Sequence, residues 1–90
     1  MTEAQIQTKI LKLLKEHNCY VIKTIATNKA GTPDIIFCKD GKFGAIEVKR
    51  PGGKPTKLQL ATLKKISEAG GFAIWTDNPQ TVQKCLETLF

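Results

Sequence analysis

The chain has 90 residues, a length that allows one domain with a small core. Its hydrophobic fraction of 41% is ordinary for a globular protein and argues against intrinsic disorder. The formal net charge is +6, and the segment from Lys39 to Lys65 has eight Lys and Arg residues against only Asp40 and Glu47. The whole positive excess therefore lies in this segment. Such a segment is typical of a surface that contacts phosphates, although a solvated lysine-rich surface is the commoner explanation of a charge run.

Cysteine and histidine usage excludes several kinds of site. Cys19, Cys38 and Cys85 lack a Cys-x-x-Cys spacing, so we interpret them as buried, free thiols rather than zinc ligands. The single histidine, His17, excludes chemistry that needs a histidine pair. Free thiols and the lack of a signal-peptide pattern predict a cytoplasmic protein. The sequence has no long apolar segment, so we do not expect it to contact a membrane.

The first helix and the first strand are predicted from capping residues and periodicity. Thr2 and Gln5 have the spacing of a capping box, and apolar residues recur at helical period as far as His17. The segment Cys19–Ile25 is rich in Val, Ile and Tyr and predicts a strand. A polar loop follows, in which Lys29 is a candidate contact for a nucleic-acid backbone.

The next segment predicts a hairpin that places two carboxylates opposite each other. Asp40-Gly41 between two apolar runs is typical of a two-residue type I′ turn. In that register Asp34 lies opposite Glu47, and Lys49 follows on the same face because strand side chains alternate. Facing carboxylates repel each other unless a cation lies between them, so the arrangement suggests a functional site. The alternative is a solvated sheet face with ordinary surface charges.

A helix, a strand and a final helix are predicted for the rest of the chain. Thr56 and Gln59 have capping-box spacing, and the helix that they open should extend to about Ala69. The segment Phe72–Thr76 predicts a strand, and Pro79 opens the last helix. The strand–helix–strand unit should form a right-handed parallel crossover. Residues expected to face inward on these helices are Leu60, Leu63, Ile66, Val82, Leu86 and Leu89. Tyr20 and Trp75 are also interpreted as packing residues.

Two motifs flank the hairpin and together resemble a known superfamily. Asp34 follows Gly31-Thr-Pro33, and a proline at the start of a strand stiffens the backbone there. Twelve residues separate Asp34 from Glu47-Val48-Lys49, which continues into Arg-Pro. This pattern resembles the PD-(D/E)xK nucleases and, among them, the VRR-NUC (virus-type replication-repair nuclease) family, including stand-alone phage domains.

The resemblance extends from about Thr2 to Trp75 and includes Glu3 and Gln59. It implies an α/β fold, with residues 1–90 forming a single restriction-endonuclease-like domain. The implied order is α-β-β-β-α-β-α, with a mixed sheet flanked by helices. Archaeal Holliday-junction resolvases have similar motifs.

The residue types at these positions suit phosphodiester hydrolysis. Asp34 and Glu47 are candidate ligands for Mg²⁺ or Mn²⁺, and the backbone carbonyl of Val48 is a candidate third oxygen. Lys49 is a candidate for orienting the attacking water or for holding the phosphate. Arg50 and Lys54 in the loop after the strand are expected to contact DNA phosphates, as are Lys29 and Lys57.

The resemblance implies catalytic roles for two further residues. Glu3 would complete the site or bind a second ion, although acidic residues at helix starts are commonly partners of the helix dipole. Gln59 would position Lys49 or the scissile phosphate, although as part of a capping box it needs no catalytic role.

The leading hypothesis is a Mg²⁺- or Mn²⁺-dependent, structure-selective endodeoxyribonuclease that acts on branched DNA. Holliday-junction resolution by a homodimer is favoured, because two symmetric cuts need two sites. The interface would be the edge of the first hairpin or the last helix around Val82, Leu86 and Phe90. Alternatives are a flap or nicking nuclease, and an inert nucleic-acid-binding module on the same fold. If a phage encodes the protein, the location would be the host cytoplasm.

Overall fold

The computed structural model describes residues 1–90 and has three helices around one four-stranded sheet. The elements in chain order are α1 (Glu3–Glu16), β1 (Tyr20–Lys23), β2 (Ile35–Lys39), β3 (Lys42–Val48), α2 (Lys57–Glu68), β4 (Phe72–Thr76) and α3 (Pro79–Leu89). The predicted α/β class, element order and mixed sheet are confirmed. No helix has the length and apolar character needed to cross a membrane.

The sheet has the order β1-β2-β3-β4, with antiparallel pairing except between β3 and β4, which are parallel. The β2–β3 turn has Asp40 at φ 52° and Gly41 at φ 78°, the left-handed values that a type I′ turn requires. Strand β1 is shorter than predicted, because the chain leaves the edge of the sheet at Thr24. There the Thr24 hydroxyl donates to the carbonyl of Pro33 over 2.6 Å.

Helices α1 and α3 cover one face of the sheet and form the main core with it. The capping boxes and the Asn78 cap begin the helices where the sequence predicts. The core cluster consists of Ile6, Ile10, Leu14, Ile35, Phe37, Ile46, Val48, Val82 and Leu86. The prediction that Leu89 faces inward is wrong, since it is 58% exposed in the last turn of α3.

Helix α2 packs on the opposite face, mainly over β4 and β3. Its core contribution is small: Leu63 is buried, whereas Leu60 is 45% exposed, contrary to prediction. The part of this face on β1, β2 and the start of β3 is uncovered. We name it the open face; it consists of Tyr20, Ile22, Cys38 and Phe43, all exposed.

The open face corrects two further predictions. Tyr20 is 72% exposed and is not a packing residue. None of the three free thiols is buried, since Cys38 is exposed and the other two are half-buried. Both errors have one cause: strand periodicity shows that a face is apolar but does not show whether a helix covers it.

Candidate active site

Four side chains lie in one row across the sheet, on the face that α2 partly covers. The N–H of Thr24 donates to the carbonyl of Asp34 over 2.9 Å, which continues the β1–β2 register. The β2–β3 register pairs Ile35 with Ile46, so its next step places Asp34 opposite Glu47. Glu47 in turn pairs with Trp75 of β4. The predicted opposition of the two carboxylates is therefore confirmed.

Asp34 is held by a backbone hydrogen bond that the sequence did not suggest. Its Oδ2 accepts from the N–H of Val48 over 2.8 Å. Strand β2 begins only at Ile35, so the Asp34 side chain satisfies a donor at the end of β3. The Val48 side chain points to the opposite face and is fully buried in the core. The aspartate is thus fixed by the strand that presents the glutamate.

Glu47 is a buried carboxyl in an unfavourable environment. It is only 3% exposed, and its Oε2 lies 3.6 Å from the Lys49 ammonium. Burial, the hydrogen bond with Asp34 and the charge of Asp34, in that order, raise the pKa of the Glu47 carboxyl to about 8. The charge of Lys49 opposes the rise only in part. The two carboxyls and the lysine therefore form one electrostatic unit.

Gln59 completes the predicted capping box and also contacts the carboxylate pair, through Glu47 rather than through Lys49. Its Oε1 accepts from the Thr56 N–H over 2.9 Å, which completes the capping box of α2. Its Nε2 donates to Glu47 Oε2 over 3.4 Å. One amide thus fixes the start of the helix and reaches the carboxylate pair.

The donor set of the pair fits a hard divalent cation. No N–H group of the protein reaches the second oxygens of the pair, Asp34 Oδ1 and Glu47 Oε1. When both carboxyls are ionised, these oxygens only accept and suit Mg²⁺, which commonly uses one or two carboxylates together with waters. A cation between them would offset the burial and the charge of Asp34 that raise the pKa of Glu47.

Glu3 is not brought into this cluster. It lies half-buried in the first turn of α1, and no group of three or more His, Cys, Asp or Glu side chains is close enough to hold a metal ion. The structure therefore assembles two of the three predicted acids. A helix-start glutamate has the same sequence pattern whether it serves a site or the helix dipole, so sequence could not separate the two roles.

None of the four basic side chains predicted to contact DNA forms an ion pair with a carboxylate. The ion pairs in the structure are Lys39–Asp40 and Lys49–Glu47. Lys29 lines a polar cavity of about 370 Å³ together with Asp34. Arg50 and Lys54 are exposed in the loop after β3, and Lys57 is exposed at the start of α2. A 2.8 Å bond from the Gly53 N–H to the Arg50 carbonyl closes a turn in this loop. Three of the four thus follow the strand that presents Glu47.

No family model matches the chain, and no curated protein is detectably similar to it in sequence. Among solved structures, one described as a "VRR_NUC domain" superimposes with a TM-score of 0.84 at 22% sequence identity. The alignment covers 100% of each chain. At this level of identity the likeness concerns the fold. The chain therefore has the fold of a VRR_NUC domain, as the motifs around Asp34 and Glu47 predicted.

Proposed function

We propose that residues 1–90 form a nuclease domain that hydrolyses phosphodiester bonds in DNA with Mg²⁺ or Mn²⁺. The supporting observation is the buried Glu47 opposite Asp34, with Lys49 beside it. Basic side chains that form no ion pair surround these residues. A purely structural sheet gains nothing from two facing carboxyls, one of them buried with a raised pKa. The fold likeness agrees with this assignment.

Each residue of the pair region has a distinct role in the proposal. Asp34 and Glu47 hold the divalent ion, with the carbonyl of Val48 as a third oxygen, and the bound ion acts as a Lewis acid toward water and phosphate. Lys49 holds the phosphate or orients the attacking water. Gln59 keeps Glu47 and Lys49 in position through its bond to Glu47 Oε2. Glu3 enters only as a candidate for a second ion, since it lies outside the cluster.

Branched DNA is the proposed substrate class. The exposed cations Lys29, Arg50, Lys54 and Lys57 can follow a phosphate backbone, and such contacts carry no base sequence. Recognition would therefore depend on the shape of the DNA. An inert binding module is the alternative function, but it is less consistent with the site. Two carboxylates in the middle of a basic surface repel phosphates unless a cation neutralises them.

We further propose that two copies associate through the open face and cut four-way junctions symmetrically. The sequence suggested the edge of the first hairpin or the last helix as the interface, and the open face is a third surface, which adjoins that edge. The last helix is already packed in the core, since Val82 and Leu86 are 1% and 3% exposed. Phe90 packs on Phe37 and Phe72, with ring centroids 5.8 and 5.4 Å apart.

The open face has the chemistry expected for a second copy of the chain. The four residues of the open face are uncharged in a protein of net charge +6. A neutral apolar patch has no charge that would repel a second copy of itself, which a twofold interface requires. It lies on the same face of the sheet as Asp34 and Glu47, so two sites would face the same DNA.

The test is cleavage of a labelled panel of four-way junction, flap, nicked and blunt duplex DNA. We expect Mg²⁺-dependent cuts in branched DNA that excess chelator stops.

Asp34→Asn should abolish cleavage and weaken metal binding measured by calorimetry. Lys49→Ala should lower the rate strongly and leave metal binding in place. Glu87→Gln, an exposed carboxylate on α3, is the control and should behave as wild type. Cleavage by wild-type protein in excess chelator would refute the proposal.

A further inference from the structure

The tryptophan of β4 lies beside the carboxylate pair and is partly open to solvent. Trp75 pairs in register with Glu47 across the parallel β3–β4 ladder, so both side chains project to the same face. Neighbouring strands are about 4.8 Å apart, which places the start of the indole side chain close to the buried carboxyl. Strand β4 is at the edge of the sheet, so no strand lies on the outer side of Trp75.

Part of the indole reaches solvent beside a buried carboxyl. Trp75 is 37% exposed, whereas Glu47, its neighbour in the row, and Thr76, the next residue of the strand, are 3% and 4% exposed. Trp75 is not part of the core cluster, which lies on the other face of the sheet. The three aromatic pairs join Phe37, Phe72 and Phe90, and the one cation over a ring is Lys42 at Phe90. The largest side chain of the protein thus has no ring or cation partner.

A nucleic-acid base is the group that such an indole suits. A phosphate held by a cation at Asp34 and Glu47 carries a nucleoside on each side. Each of these bases is joined to the phosphate through a single sugar, so it can come within reach of a side chain that begins beside Glu47. Aromatic side chains bind bases by stacking, which tolerates any base because every base has a π-face. Inside a duplex both faces of a base are already stacked, so only an unpaired base can use the indole.

We propose that Trp75 is a stacking platform for an unpaired base next to the phosphate held at Asp34 and Glu47. This inference rests on the proposed nuclease function and makes its substrate more specific. The strand to be cut would have an unpaired nucleotide beside the cut, as at a branch point or a flap. Trp75 is then a residue that selects the substrate by its structure rather than by its sequence.

Trp75 is the only tryptophan, so its fluorescence reports on this contact without ambiguity. The probes are a blunt duplex, a flap with one unpaired nucleotide at the branch, and the same flap with an abasic site at that nucleotide. Each is titrated with Mg²⁺ into the Lys49→Ala protein, which should keep the metal site but cut DNA only slowly. We expect quenching by the flap, and little by the duplex or the abasic flap.

Affinities measured by anisotropy give a double-mutant cycle. Trp75→Leu should bind the flap roughly 5- to 150-fold more weakly, the range of aromatic–base stacking, and should bind the abasic flap as wild type does. Trp75→Phe should recover part of the affinity and guards against a folding defect in the leucine variant. Leu89→Ala, an exposed apolar residue on α3, is the control and should change nothing.

The outcomes separate this inference from the function on which it rests. If wild-type protein cuts flaps but Trp75→Leu binds and cuts them equally well, without quenching of the wild-type indole by the flap, the stacking platform is refuted and the nuclease stands. If wild-type protein neither binds nor cuts any of the probes, the nuclease proposal fails, and the inference fails with it.

Discussion

At the scale of single residues, burial and charge at Glu47 act against each other. The carboxyl is 3% exposed and faces Asp34, so the ionised form of Glu47 lacks water and meets a like charge. Lys49 at 3.6 Å compensates in part. A bound cation would stabilise the ionised form of the Glu47 carboxyl, so this environment favours cation binding. The same burial next to Asp34 makes the stability of the metal-free protein depend on pH.

The raised pKa of Glu47 predicts that the metal-free protein loses stability as pH rises. Its ordinary pKa of 4.5 applies to the unfolded chain, and its pKa in the folded protein is about 8. Between these values the folded state binds more protons, so the free energy of unfolding should fall with rising pH, by at most about 1.4 kcal/mol per unit. Above pH 8 this contribution should level off. Denaturant unfolding in chelator across this range measures it.

Glu47→Gln removes the titrating group and keeps the shape of the side chain. We expect this variant to lose the pH-dependent component and to be more stable than wild type at pH 9, where Glu47 is ionised. Glu87→Gln on α3 serves as the matched control. Wild-type stability that rises across the same pH range in chelator would contradict the burial and pairing of Glu47.

At the scale of elements, the segment between β3 and α2 connects the carboxylate pair to the basic surface. Strand β3 ends at Val48, and α2 begins at Lys57 with a capping box whose Gln59 contacts Glu47. The loop between them is therefore anchored at both ends near the site. Its cations Arg50 and Lys54 are exposed and have no acidic partner.

Removing Arg50 and Lys54 should weaken DNA binding through electrostatics alone. Each lost phosphate contact is expected to reduce the slope of log affinity against log salt by about one unit. The double variant Arg50→Ala/Lys54→Ala should therefore show a slope lower by about two units. Lys84→Ala on α3 removes one positive charge on the other side of the sheet and should leave the slope unchanged. Anisotropy titrations at several salt concentrations give the slopes, and a wild-type slope in the double variant would show that the loop points away from DNA.

At the scale of the whole molecule, the placement of α2 leaves the open face without cover. The helix packs over β3 and β4, where it supports Glu47 through Gln59. None of the three helices lies over the other half of that face. Apolar side chains such as Tyr20 and Ile22 are therefore exposed, and in the proposed dimer a second copy covers them.

Charges on the open face should convert the proposed dimer into a monomer. Tyr20→Lys/Ile22→Lys places two buried charges in the interface, and we expect light scattering to give a monomer where wild type is a dimer. The variant should still nick flaps but lose the paired cuts that resolve a four-way junction. Leu89→Lys adds a charge at an exposed apolar position on α3 and should remain dimeric. A wild-type monomer at micromolar concentration that leaves junctions uncut would overturn the dimer proposal.

The sequence by itself determined the local structure and the register of the hairpin. Capping boxes, the Asp40-Gly41 turn and alternating apolar residues are short-range signals, and they fix the opposition of Asp34 and Glu47. A two-residue turn leaves one register for the strands that it joins, so a site built on a single hairpin is readable from the chain. The order of the elements was predicted for the same reason.

Only the tertiary structure decided what lies around that hairpin. The exposure of Tyr20, the position of Glu3 outside the cluster and the place of Trp75 beside Glu47 depend on how helices and the fourth strand pack. Periodicity shows which face of a helix or strand is apolar, but it does not show whether another element packs on that face. Such packing joins segments that are far apart in sequence. The carboxylate pair was therefore predictable, whereas the open face and the indole beside the site were not.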